Sequence, residues 1–164
     1  MAAPQREPVT AYVGLGANLG AAAQAVTAAI EAIGRVPDTV VTGRSSMYRS
    51  APVDASGPDY INAVVEVRTL LAAPRLLSEL QAIELAAGRE RPYRNAPRTL
   101  DLDLLLYGAG RIDSPMLTLP HPRMAQRAFV LLPLAEIAPQ RVSALSLAAI
   151  TSQVIARMEP AADD

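Results

Sequence analysis

The sequence predicts an α+β domain in which an antiparallel sheet carries helices. Three observations lead there. Residues 9–16 and 60–69 have the apolar content and length of strands, the second alternating cleanly with Ile61, Ala63, Val65 and Val67 on one face. Residues 21–33 and 74–87 repeat their apolar positions every three or four residues, as amphipathic helices do. These segments alternate along the chain, separated by short stretches rich in Gly and Pro.

Residues 9–16 read as a buried first strand, closed by the turn residues Asn18 and Gly20. The helix over 21–33 sets Val26, Ile30 and Ile33 on one stripe, and Gly34 is a C-terminal stop. Residues 39–49, rich in Val, Thr, Met and Tyr, form the second strand. A loop over 50–59 leads to the third strand, 60–69. Pro74 opens the second helix, with Leu76, Leu80, Ile83 and Ala87 facing inward and Gly88 ending it. Residues 89–97, with three Arg and two Pro, form a mobile surface loop before the fourth strand, 99–107. The order βαββαβ is that of a ferredoxin-like core, with helices on one face of the sheet. Two C-terminal helices, 129–137 and 145–158, are added to it. The whole forms one domain, 1–164, with its core at about 9–139 and poorly ordered ends at 1–8 and 159–164.

Composition removes several chemistries. Without cysteine there is no disulfide, thiolate nucleophile or Cys-based metal site. All fifteen basic residues are Arg, so no Schiff-base or Walker-type lysine exists, and any phosphate must be gripped by guanidinium forks. A formal net charge of −1 argues against nucleic acid as a partner. With no apolar run of bilayer length and no secretory leader, no membrane partner is expected and the location is cytoplasmic.

Candidate chemistry centres on Asp101 and Asp103, which share a face of the fourth strand with Leu105 and Tyr107, while Leu100, Leu102, Leu104 and Leu106 fill the other. Two carboxylates about 7 Å apart on so apolar a strand repel each other, and a divalent cation between them relieves that repulsion. Two solvated acids at a protruding strand end satisfy the same pattern. Arg89, Arg91, Arg94 and Arg98 lie just before the pair, an arrangement suited to a polyphosphate or to a solvated loop. His121, the only histidine, stands between Pro120 and Pro122. The segment Gly14–Gly20 has G-x-G-x-x-x-G spacing, one residue too long for a dinucleotide fingerprint, and reads as a turn that lets backbone approach a neighbour or ligand.

Taken together, Gly14-Leu-Gly-Ala-Asn-Leu-Gly20, Tyr60-Ile-Asn-Ala63, Gly88-Arg-Glu-Arg91, Ala96-Pro-Arg-Thr-Leu-Asp-Leu-Asp103, Leu119-Pro-His-Pro122 and Arg127-Ala-Phe129 resemble the 6-hydroxymethyl-7,8-dihydropterin pyrophosphokinases of folate biosynthesis. That resemblance implies a ferredoxin-like core and transfer of diphosphate from ATP to the pterin hydroxymethyl group, releasing AMP, with two Mg²⁺ ions. It implies metal binding by Asp101 and Asp103, and catalysis by these two with the loop residues Arg89 and Arg98. Gln81, Arg89, Arg91, Arg98, the Leu104 backbone, Thr118, His121 and Arg127 match the ATP site. Ser50, Pro52, Val53, Tyr60, Asn62 and Phe129 match the pterin site, the two aromatics enclosing the ring. Asn95, Ala96 and Pro92 depart from the family pattern in the Arg loop. A monomer acting on these two small substrates is expected. The competing expectation is a ferredoxin-like ligand-binding or regulatory domain without catalysis.

Overall fold

The structure, a computed structural model, describes residues 7–18, 20–51, 58–88 and 100–158. Its strands are β1 (Val9–Ala17), β2 (Thr39–Arg44), β3 (Tyr48–Ser50), β4 (Tyr60–Thr69), β5 (Asp101–Tyr107), β6 (Ile112–Asp113), β7 (Thr118–Leu119) and β8 (Ile155–Arg157). The helices are α1 (Ala22–Gly34), α2 (Ala73–Ala87), α3 (Ala128–Ile137) and α4 (Ala144–Ala149). The main sheet runs β5-β1-β4-β3-β8, with β2 pairing further along β4, and all its pairings are antiparallel. This is the expected ferredoxin-like arrangement.

The strand pleat sorts the core into two layers. Ala11, Val13 and Leu15 of β1, with Ala63, Val65 and Val67 of β4, point toward α1 and α2, where they meet Val26, Ile30, Ile33, Leu76 and Leu80. The opposite face presents Tyr12 and Val64 to Val130 and Leu134 of α3. Helices therefore cover both faces, and only part of the α3 face is filled.

Several local expectations need correction. Residues 39–49 form two strands, because the backbone turns aside at 45–47, where the Ser45 hydroxyl accepts the Val64 N–H in place of a strand partner. Gly34 is the last residue of α1, and the left-handed residue of that connection is Asp38 (φ 56°), a residue type that tolerates it. On β5, Val13 faces Leu104 while Tyr12 faces Leu106, so Leu105 is an extra residue in the ladder. The alternation flips there. Tyr107 joins the α1/α2 layer, its hydroxyl donating to the Leu71 carbonyl, and Leu106 joins the α3 layer.

The largest correction concerns residues 145–158. Helix α4, capped by Ser143, ends at Ala149, and residues 155–157 form a strand on the free edge of β3. Ile150 is buried against Ala128 and Leu131, which fixes the turn between the two. The loop arginines Arg89, Arg91, Arg94 and Arg98, together with Pro52, Val53, Asn95, Ala96, Pro92 and the segments 1–6 and 159–164, lie outside the described residues. Among the described residues, no helix is long and apolar enough to cross a membrane.

Glu136 of α3 ties that helix to the start of β3. Its carboxylate accepts from the Tyr48 hydroxyl (2.7 Å), the Ser46 N–H (2.9 Å) and the Ser46 hydroxyl (3.1 Å). Burial pushes the Glu136 carboxyl up, but these donors and Arg157 outweigh it and hold the group below its ordinary 4.5. A carboxyl held low when folded stabilises the protein above 4.5 and loses that contribution as pH falls through the folded value. Glu136→Ala should therefore destabilise the fold by about 1–3 kcal/mol at neutral pH. Thermal unfolding followed from pH 7 downward should show the gap to wild type narrowing below 4.5. A gap that stayed constant would overturn the assignment.

Candidate active site

The uncovered part of the α3 face is a cleft of about 930 Å³. Its floor comes from β1, β4 and β5, and its walls from the start of α3 and from Gln153, Val154 and Ile155. Lining it are Ser50, Tyr60, Asn62, Asp101, Asp103, Arg127 and Phe129, seven of the residues expected from the sequence, drawn from four separate segments.

Strand register explains how they meet. Asp101 lies opposite Gly16, which lies opposite Asn62, which lies opposite Tyr48, a single row across four strands. The next row is Asp103, Gly14, Val64. Gly14 and Gly16 therefore sit inside β1, within the strand expected over 9–16, between the two acids and the β4 side chains. A Cβ at Gly16 would come within 3.3 Å of the Asn62 Oδ1, and one at Gly14 would lie 3.4 Å from Leu105 Cδ1. With no side chain standing there, the floor between the acids and Asn62 is backbone.

At the far end, Asn62 is 2 % exposed and its amide Nδ2 donates to the Ser50 Oγ at 2.7 Å. Ser50 is placed by its pairing with Tyr60. That bond fixes which way the Asn62 amide points and leaves Oδ1 toward Gly16. Phe129 stands on the first turn of α3, and the Arg127 guanidinium lies 5.3 Å from its ring centroid, within cation–π range.

At the near end, the His121 Nε2 is 3.9 Å from an Asp103 oxygen. The His121 backbone N–H donates to the Leu105 carbonyl at 2.9 Å, which ties the Pro120–Pro122 segment to β5. Its Nδ1 accepts the Arg123 N–H, so the ring proton of the neutral form sits on Nε2, facing Asp103. Burial lowers the His121 pKa and Arg127 and Arg123 lower it further, against Asp103, which raises it; the net is a neutral-favouring shift. Asp103 remains 42 % exposed at its side chain, so it can reach an incoming ion, and Asp101 lines the same cleft. Among the described residues no third carboxylate or imidazole completes a protein-only metal cage. Two oxygen donors on one open face suit a Mg²⁺ ion that takes its other ligands from phosphate and water.

His121 meets the cleft only through Asp103, and three other sequence-predicted residues do not line it either. Gln81 is exposed on α2, Thr118 lies on β7, and the Leu104 side chain is core. All three belong to the β5 edge, against which α2 and β7 both pack. Leu102 donates its N–H off that edge to Glu84 at 2.9 Å, and Leu104, two residues on, presents its backbone the same way. The sequence reading missed Gly14 and Gly16 as floor residues, Glu84, and the C-terminal wall at Gln153–Ile155.

Residues 12–139 match the family described as 7,8-dihydro-6-hydroxymethylpterin-pyrophosphokinase (HPPK). The chain is 47% identical over 129 residues to a 2-amino-4-hydroxy-6-hydroxymethyldihydropteridine pyrophosphokinase of Pseudomonas aeruginosa, a match covering 78% of this chain and 80% of that protein. A protein of the same name from Haemophilus influenzae is 45% identical over 135 residues, covering 82% and 84%. Among solved structures, wild-type Plasmodium falciparum HPPK-DHPS with pteroate is similar at a TM-score of 0.63 and 13% identity, covering 84% of this chain. A triple mutant of that protein reaches 0.67 at 12% identity. This chain spans only 40% and 41% of those two chains, and at such identity the likeness concerns fold alone.

Proposed function

We propose that this chain, which belongs to the 7,8-dihydro-6-hydroxymethylpterin-pyrophosphokinase family, works through Asp101 and Asp103 at one end of its cleft and Asn62 at the other. The reaction is transfer of diphosphate from ATP to the hydroxymethyl group of 6-hydroxymethyl-7,8-dihydropterin, a step of folate biosynthesis. The alcohol oxygen bonds to the β-phosphorus, the bond from that phosphorus to the α,β-bridging oxygen breaks, and AMP leaves.

The observation that carries the assignment is the row Asp101–Gly16–Asn62, which sets metal-binding acids and an amide that can read a heterocycle on one floor with nothing standing between them. In this reading the Asn62 amide, oriented by Ser50, pairs with the donor–acceptor edge of the pterin, and the backbone at Pro52 and Val53 completes that edge. Tyr60 and Phe129 enclose the ring. Phe129 is partly occupied by the Arg127 guanidinium, so the arginine swings toward phosphate as the ring arrives. His121 and Arg127 hold phosphate oxygens, and Gln81, Thr118 and the Leu104 backbone hold the nucleoside beyond the β5 edge.

The family uses ATP with Mg²⁺. We assign two ions to Asp101 and Asp103; bound there, Mg²⁺ supplies positive charge to the phosphates and lowers the proton affinity of the attacking alcohol. We assign Arg89, Arg91 and Arg98 to the triphosphate, whose charge their guanidinium groups would neutralise. Alignment and charge neutralisation then supply most of the rate. We read the protein as a monomer acting on these two small substrates. One sheet holds residues from Val9 to Arg157, which supports a single domain over 1–164. We place the protein in the cytoplasm, where ATP and Mg²⁺ are available.

Incubation with ATP, Mg²⁺ and the hydroxymethyl dihydropterin should produce AMP and pterin diphosphate in equal amounts. ADP in place of AMP would mean a simple kinase. Absence of turnover with tight ligand binding would return the chain to the non-catalytic reading, which the family membership does not favour.

A further inference from the structure

We propose that Gln153 is a positioning residue for this site, holding Arg127 and Phe129 in place from the C-terminal segment. The inference rests on the reading of those two residues as substrate contacts. Gln153 lies beyond residues 12–139, the part that matches the family.

The geometry is specific. The Gln153 Oε1 accepts the Ala128 N–H at 2.9 Å, and its Nε2 donates to the Gln126 carbonyl at 2.8 Å. Those two groups belong to the peptides on either side of the Arg127 Cα. A single amide thus bridges both, as a neighbouring strand would, and Arg127 has the extended backbone that such a bridge selects (φ −121°, ψ 112°). Rotation about either backbone bond of Arg127 breaks one of the two contacts.

Helix α3 needs this partner. Its first N–H groups have no intrahelical acceptor, and the N-cap residue is Arg127, whose side chain has nothing to accept with. The capping oxygen comes instead from 25 residues further on. Gln153 is itself anchored: its N–H donates to the carbonyl of Ile150, which is buried against Ala128 and Leu131 of the same helix. The neighbouring Val154 carbonyl accepts from Ala51, one residue past Ser50, so the same segment joins both walls of the cleft.

The chain contains one phenylalanine, which makes the claim directly measurable. Protein carrying 4-fluorophenylalanine gives one ¹⁹F resonance, reporting Phe129 alone. Gln153→Ala should shift or broaden that resonance in the ligand-free protein and raise the pterin KM about tenfold, the worth of two neutral hydrogen bonds. Its thermal midpoint should fall by only a few degrees, the cost of losing one helix cap, with the fold intact. Gln153→Glu, which keeps the acceptor but sets a carboxylate against the Gln126 carbonyl, should fall between the two.

An unchanged ¹⁹F resonance in Gln153→Ala overturns the proposal, whatever the activity. A changed resonance with unchanged pterin KM also overturns it. In that second case Phe129→Ala locates the fault: if it too leaves pterin binding intact, the reading of Phe129 has failed, and if it abolishes binding, the link through Gln153 has.

Discussion

Asp103→Ala should lower turnover roughly a thousandfold or more, the scale seen when a group that stabilises transition-state charge is removed, with little change in thermal stability. The contrast between the two readouts follows from the position of the side chain. Asp103 is 42 % exposed, and its nearest described partner is His121 at 3.9 Å, so truncation leaves no buried charge unpaired. Removing one of two nearby carboxylates also relieves their repulsion. A structural ion pair would behave in the opposite way, losing stability and keeping activity. Asp103→Asn keeps the shape and loses the charge, so it should share the loss of turnover, and raising Mg²⁺ should recover part of it. Near-normal turnover in either variant, measured as AMP release, would refute the metal assignment.

Gly16→Val should weaken pterin binding about ten- to a hundredfold, which is what forcing atoms into a filled space costs. Valine suits a strand, so β1 should form. Its Cβ, however, would stand 3.3 Å from the Asn62 Oδ1, and its methyl groups would rise over the floor between Asn62 and Asp101. Titration calorimetry should show that loss for the pterin and near-normal affinity for an ATP analogue. Equal losses for both ligands would mean general damage to the sheet, and wild-type pterin affinity would remove Gly16 from the floor.

Much of the fold could be read from the order of residues because β4 and the first two helices are long and strongly periodic. The strand expected over 60–69 is found as Tyr60–Thr69. The departures share a cause. A three-residue strand such as β8 is too short to carry a period, and its partner β3 lies about a hundred residues earlier in the chain. The extra residue at Leu105 is a property of the pairing with β1, so the flipped side of Tyr107 cannot be read from β5 alone. The candidate site divides in the same way. Asp101 and Asp103 announced themselves as charges on an apolar strand. Gly14 and Gly16 fall within the strand read over 9–16, but only their register with β5 shows what faces them. Gln153 carries no signal in sequence, since its partners are two backbone groups.

The row from Asp101 through Gly16 to Asn62 also acts as a ruler. Neighbouring strands lie about 4.8 Å apart, so the two ends of the row are separated by two spacings, roughly 10 Å. A molecule read at Asn62 and reacting beside Asp101 must be that long. A fused two-ring heterocycle with a one-carbon arm reaches across, whereas a single ring would hold its alcohol one strand short of the acids. The fixed interval between hydrogen-bonded strands thus selects substrate length before any side chain discriminates.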